Sequence, residues 1–261
     1  MPRYAVRGGD VVLKCDHSVS PEQLYKVEWQ KGGNKIFQYI KGRTPPFRHF
    51  PSVMTGAVLN KANSSEKQLQ LSNLDFSASG SYSCVVSMET PIFSKDSESH
   101  VLTVIEPQNA DPSITFNKDR YEFKEMLEAN CTSAPSRPPP HITWFINDNK
   151  APDDLTKSFS NGIVHGHGYF EQKASSTKQL SVEVSELHVG EDGELRLTCM
   201  STIPGYINDN EDYADIRKHS VRLYVEAPEE PKELTMPSRG TTWQPAITVW
   251  SVVMIAANAL F

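Results

Sequence analysis

Asp75-Phe76-Ser77-Ala78-Ser79-Gly80-Ser81-Tyr82-Ser83-Cys84 is the stretch on which the fold turns. A Ser-Ala-Ser-Gly turn leads into a run where Tyr82, Cys84 and Val86 alternate with Ser81, Ser83 and Val85. Alternation of period two puts one set on each face of a strand. A tyrosine two residues before a cysteine fits a corner in which the phenol bonds to nearby backbone. The acidic residue that often stands six positions before such a cysteine is absent, because Ala78 is there. Upstream, Val11, Leu13 and Cys15 alternate, then Val27 and Trp29, then Leu69 and Leu71. Gly8-Gly9-Asp10, Gly32-Gly33-Asn34 and Pro45-Pro46 supply turns between them. Trp29 falls between Cys15 and Cys84, where an indole covers a bridge joining two facing sheets.

The pattern occurs a second time. Its sets are Leu127, Ala129, Cys131; Ile142, Trp144, Ile146; Leu180, Val182, Val184; Leu195, Leu197, Cys199; and Val221, Leu223, Val225. Four cysteines allow three pairings. Cys15 and Cys84 lie 69 residues apart and Cys131 and Cys199 lie 68 apart, so the repeat favours one bridge per unit. A loop of that size makes each bridge worth about 4 kcal/mol in the chain-entropy model. No long segment has helical periodicity. The chain therefore reads as all-β, two tandem immunoglobulin-like β-sandwiches. The first (residues 3–105) is variable-type, since the gap between Trp29 and Leu69 leaves room for extra strands. The second (113–226) has Leu197 in place of the corner tyrosine and is constant-like.

Bridges of this kind persist in an oxidising compartment, and two sequons agree with an extracellular chain: Asn63-Ser64-Ser65 and Asn130-Cys131-Thr132. With Cys131 inward, Asn130 and Thr132 point to solvent, so a glycan on Asn130 is tolerated. The net charge is -6 with both signs mixed; without a basic stripe, nucleic acid is not an expected partner. Enzyme motifs are missing: no Gly-x-Ser-x-Gly elbow, no phosphate loop and no His-Glu-x-x-His. His165 and His167 share one side of a strand, but zinc needs about two more ligands and none is near in sequence. The expectation is no enzyme, no metal and no cofactor.

Glu106 to Pro112 is a short linker with two prolines, which predicts a fairly fixed, extended domain order. Pro138-Pro139-Pro140 reads as a stiff inter-strand loop rather than a polyproline ligand. Met1-Pro2-Arg3-Tyr4 runs almost at once into strand-like sequence, as in a mature chain or one whose leader is missing. Residues 227–245 read as a polar, proline-containing stalk. Residues 246–261 form an apolar, uncharged end, shorter than the roughly 20 residues of a membrane span. That pattern is expected of a glycolipid-anchor signal, with a truncated transmembrane segment or a secreted product as alternatives. Ser238, Gly240, Thr241 and Thr242 are the small residues that could carry the attachment.

A closer likeness lies in two groups of residues. The first is Val27-Glu28-Trp29-Gln30-Lys31-Gly32 with Ile36-Phe37-Gln38-Tyr39-Ile40, Thr44-Pro45-Pro46 and Phe50-Pro51. The second is Glu128-Ala129-Asn130-Cys131-Thr132-Ser133 with Ser136-Arg137-Pro138-Pro139-Pro140 and Ile142-Thr143-Trp144. Over residues 3–226 the chain resembles the beaten path family of arthropod neuronal immunoglobulin proteins. The resemblance implies roles in axon guidance and synaptic partner choice. It also implies heterophilic binding to Sidestep-family immunoglobulin membrane proteins. An immune-type receptor or soluble binding module is the alternative reading, and self-association is allowed.

Variable-type domains bind through a sheet face or through loop tips. With Trp29 inward, Glu28 and Gln30 point outward. If Ile36 and Ile40 enter the core, Phe37 and Tyr39 join them on the outer face; a one-residue slip would bury both instead. With Cys84 inward, Val85 faces out, and Ile92 and Phe93 sit in the loop between the last two strands. Outward aromatics make Glu28, Gln30, Phe37, Tyr39, Val85 and Phe93 the candidate partner-binding set. Asn63 falls in a loop near the domain tip, and a glycan there favours binding at the face.

Overall fold

The computed structural model describes residues 1–226 except 53, 90–92, 160–163, 166–171, 186–187 and 190–192. The expected stalk and apolar end (227–261) lie outside the described residues, as do His167 and Ile92; among the described residues no helix is long and apolar enough to cross a membrane.

The first domain is built from β1 (Tyr4–Val6), β2 (Val11–Lys14), β3 (Leu24–Lys31), β4 (Asn34–Ile40), β5 (Phe47–His49), β6 (Val58–Leu59), β7 (Gln68–Ser72), β8 (Gly80–Met88), β9 (Phe93–Asp96) and β10 (His100–Ile105). One sheet has the order β1-β10-β8-β3-β4-β5, with β9 also paired to β8; the other is β2-β7-β6. The strands β4 and β5 occupy the long gap after Trp29. The β3–β4 hairpin closes on the pair Lys31↔Asn34 through Gly32 and Gly33, both at positive φ (54° and 78°). Two successive left-handed residues give the tight turn that matches strand twist, and glycine takes that conformation at least cost.

Between the sheets, Leu13, Val27, Trp29, Leu69, Leu71, Tyr82 and Leu102 are buried around the Cys15–Cys84 disulfide, whose Cα atoms are 6.1 Å apart. The Tyr82 hydroxyl donates to the Ala78 carbonyl at 2.6 Å. That bond fixes the short 3-10 turn Phe76–Ala78 against the start of β8.

The second domain comprises β11 (Ser113–Phe116), β12 (Tyr121–Glu122), β13 (Met126–Thr132), β14 (His141–Ile146), β15 (Asn149–Lys150), β16 (Thr156–Phe159), β17 (Val164–His165), β18 (Lys173–Ala174), β19 (Thr177–Glu183), β20 (Glu194–Ile203) and β21 (Asp215–Glu226). Its sheets are β11-β13-β19-β16 and β12-β21-β20-β14-β15, with β17 and β18 a separate ribbon. Leu127, Ala129, Trp144, Leu180, Leu195 and Leu197 pack around the Cys131–Cys199 disulfide, with Cα atoms 6.4 Å apart. The Trp144 indole N–H donates to the Lys178 carbonyl at 3.0 Å, tying the two sheets together. The run Pro138-Pro139-Pro140 lies in the loop between β13 and β14.

The chain between the sandwiches is bonded rather than free. Glu106 and Arg137 exchange two backbone hydrogen bonds, 2.8 and 3.0 Å. Gln108 is buried on the second domain, where its backbone N–H donates to Asp215 at 2.8 Å and Arg217 donates to its carbonyl at 3.2 Å. The guanidinium groups of Arg7 and Arg137, one from each domain, lie 4.9 and 4.0 Å from the centre of the Phe76 ring.

Candidate recognition face of the first domain

Sequence alternation and strand register together decide which side chains line the outer face of the large sheet. Across β3 and β8, Trp29 faces Cys84 and Val27 faces Val86, so those positions point into the core. Glu28 then lies opposite Val85, and Lys26 opposite Ser87, on the outer side. Across β3 and β4, Glu28 faces Gln38, and Gln38 in turn faces Arg48 of β5.

Phe37 and Tyr39 are not on this face. Phe37 lies directly opposite Trp29 and is 1% exposed; Tyr39 lies opposite Val27 and packs on the core beside Phe47, with ring centres 5.5 Å apart. The cause is a β-bulge. Counted straight back from the Lys31↔Asn34 turn, Glu28 would meet Phe37. The register shifts between Trp29 and Gln30, so Glu28 meets Gln38. Ile36 is the extra residue, and at such a bulge two neighbouring side chains turn to one side. Ile36 and Phe37 are accordingly both buried.

Phe93 is also placed elsewhere. It is a strand residue paired with Met88, on the inner-facing side of β9, and it is half exposed. With His17, Val19, Val86 and Met88 it lines a cavity of about 270 Å³ at the end of the sandwich beside the disulfide. Burial holds the His17 imidazole below its ordinary value, and the charge of Lys67 adds to this.

The remaining face is polar and organised around one carboxylate. Glu28 is 7% exposed even though it points away from the core. Lys26 donates to it at 3.0 Å, Gln38 at 2.9 Å, and Lys35 forms a further ion pair. Burial alone would raise the Glu28 pKa. The hydrogen bonds and charges of Lys35 and Lys26 outweigh it and leave the group below the usual glutamate value. Half-buried Gln30 lies opposite Lys35 and Ser83, next to this cluster. At the sheet edge, exposed Arg48 sits 4.9 Å from the Phe50 ring centre and Lys35 sits 6.0 Å from it. On the far side, Ser87 and Ser94 share a 2.8 Å hydroxyl contact and Asp96 lies opposite Val85. Basic groups thus gather toward β5, with hydroxyls and one carboxylate toward β9. Lys26 and Lys35 stand outward by the same alternation as Glu28 and Gln30, whereas Gln38 and Arg48 reach this face only through the bulge, which leaves no mark in residue spacing.

The sequon residue Asn63 is exposed between β6 and β7. Asn130 faces outward on β13, opposite Thr115 and Gln179. Among the described residues, no group of three His, Cys, Asp or Glu is placed to hold a metal ion.

Residues 1–105 match the immunoglobulin V-set domain, and residues 109–202 match the CD80-like C2-set immunoglobulin domain. Among solved structures the chain is similar to Rst D1-D2, at 18% identity and a TM-score of 0.41, covering 86% of this chain and 94% of that one. It is also similar to the full ectodomain (Ig1–Ig3) of mouse nectin-like molecule 4, at 16% identity and a TM-score of 0.40, covering 86% of this chain and 66% of that one. No curated protein matches the chain.

Proposed function

Because the chain is a tandem of immunoglobulin-like β-sandwiches, V-set then C2-set, we propose that it is an extracellular recognition protein whose first domain binds a second protein through its outer sheet face. The observation that carries this is the Glu28 cluster. A carboxylate on the open side of a sheet is held by Lys26, Lys35 and Gln38, next to exposed Arg48. Such a surface has fixed polar groups and an arginine at its rim. Fixed polar patterning confers partner choice, and arginine is a frequent anchor in interfaces. The two disulfides agree with an oxidising compartment.

The finer reading follows the resemblance to the beaten path family. The partner is a Sidestep-family immunoglobulin membrane protein, the binding is heterophilic, and the setting is axon guidance. The cationic half of the face, toward β5, meets acidic groups on that partner. The apolar C-terminal end associates the chain with the outer face of the plasma membrane through a lipid anchor or a short transmembrane segment.

The test is binding of the multivalently displayed chain to cells expressing Sidestep-type ectodomains, with Arg48→Glu and Gln30→Arg in parallel. The expected result is binding by the parent and a loss of about tenfold or more in the folded variants. Binding that survives both changes would move the site to another surface. Absence of binding to every such ectodomain would overturn the family-based function.

A further inference from the structure

On the outer side of the sheet β11-β13-β19-β16, a sequon and an exposed aromatic ring lie within reach of each other. Register sets Asn130, Gln179 and Lys157 in one cross-strand row, and Thr132, Thr177 and Phe159 in the next row on the same side. Cys131, Ala129 and Leu180 are fully buried, so these rows face solvent. Phe159 is two strands across from Asn130 and two residues along, a backbone separation of about 12 Å from standard strand spacings. An asparagine side chain bearing two sugars spans that distance.

Phe159 is 43% exposed, and Lys157 holds its ammonium 5.9 Å from the ring centre. At that exposure the cation leaves part of the ring open to solvent. An aromatic face carries partial negative charge. The C–H groups on one side of an N-acetylglucosamine ring are weakly positive and match it in shape. The ground between is polar: Thr132 and Thr177 share a 3.0 Å hydroxyl contact, and Gln179 stands beside them.

We propose that an N-acetylglucosamine core attached to Asn130 folds along this face and stacks on the Phe159 ring, with Thr177 and Gln179 bonding to its amide and hydroxyl groups. This rests on reading Asn130-Cys131-Thr132 as an occupied sequon. The glycan then covers an otherwise wet aromatic and shields this side of the second domain. Partner binding is left to the first.

The test uses the full chain secreted from eukaryotic cells. Glycopeptide mass spectrometry reads occupancy of Asn130. Proton NMR of the isotope-labelled glycan reads the ring, which shifts stacked sugar protons upfield. The expected result is an occupied Asn130, upfield-shifted N-acetylglucosamine protons, and loss of that shift in Phe159→Ser. Phe159→Tyr, which keeps a ring, should retain it. Phe159→Ser should also lower the melting temperature of the glycosylated chain more than that of the enzymatically trimmed chain. An occupied Asn130 whose sugar protons are the same in Phe159→Ser would overturn the stacking alone. An unmodified Asn130 would overturn the sequon reading and the stacking with it.

Discussion

The Asp215 carboxylate accepts from both the backbone N–H and the side-chain amide of Gln108, at 2.8 and 2.9 Å, and both residues are buried. Gln108 belongs to the connecting segment and Asp215 to β21, so the segment is part of the second domain's fabric. Partly exposed ion pairs also join the two domains and the segment between them: Glu106 with Arg7 and Lys173, and Arg3 with Glu211. Magnitudes decide which matters. Buried donors left without an acceptor cost about 1–3 kcal/mol, whereas exposed pairs contribute about 0–1 kcal/mol. Asp215→Ala should therefore destabilise the chain by about 1–3 kcal/mol in urea unfolding, and Glu106→Gln by less than about 1 kcal/mol. Equal losses would show that surface charge, not the buried carboxylate, secures the junction.

Tyr82 joins a fully buried ring to a backbone acceptor, the Ala78 carbonyl. Burial pushes its phenol up to about 12, from an ordinary value of 10.0. A folded value above the unfolded one gives stability that is complete below pH 10 and is lost as pH rises toward 12. In a spectrophotometric titration Tyr82 should ionise last, together with unfolding. Tyr82→Phe leaves the Ala78 carbonyl without its donor and should cost about 1–3 kcal/mol at neutral pH. A variant as stable as the parent would mean that the corner is held by packing alone.

The two core tryptophans differ in a way that spacing does not reveal. The Trp29 indole nitrogen is buried without a hydrogen-bond partner, while that of Trp144 donates to the Lys178 carbonyl. Replacement by phenylalanine removes similar apolar area from both cores. At Trp144 it also removes a hydrogen bond that joins the two sheets, and at Trp29 it removes a donor that was already unsatisfied. Trp144→Phe should thus be the more damaging change, by about 0.5–1.5 kcal/mol in denaturant unfolding. The reverse order would mean that cavity size, rather than hydrogen bonding, governs both sites.

Residues obeying simple alternation were legible in the sequence. Cys15, Trp29 and Cys84, and their counterparts Cys131, Trp144 and Cys199, stand inward because burying apolar side chains on one face of a strand requires a period of two. The candidate recognition face was legible only in part. Glu28 and Val85 follow from alternation on β3 and β8. Phe37 does not, because a single bulged residue at Ile36 reverses every assignment beyond it on β4. Nothing local announces that bulge: Lys35-Ile36-Phe37 reads equally well in either register, and packing against Trp29 and Phe47 decides between them. Beside Ile92, Phe93 reads as a loop residue, whereas it opens β9 and pairs with Met88 across the β8–β9 hairpin, a short-range pairing whose strand length the residue pattern does not mark.

Glu28 gives the outer sheet face of the first domain a dependence on acidity. Its folded pKa lies below the ordinary 4.5 because Lys35 and Lys26 overcome the effect of burial. The stabilisation from this carboxylate is complete above the unfolded value and is lost as pH falls through the lower folded value. The parent should therefore lose stability on acidification below about pH 4.5 more steeply than Glu28→Gln does. At neutral pH, Glu28→Gln should cost only about 1 kcal/mol, because Lys26 and Lys35 are partly exposed and solvent takes over their charges. Its effect on binding should be larger than that cost implies, since the substitution frees both lysines to move across the face. Comparing urea midpoints at pH 7 and pH 4, with partner binding at pH 7, separates the two roles. A variant with parent-like acid sensitivity would remove Glu28 from the explanation, and one with parent-like affinity would place the partner's contacts elsewhere on the domain.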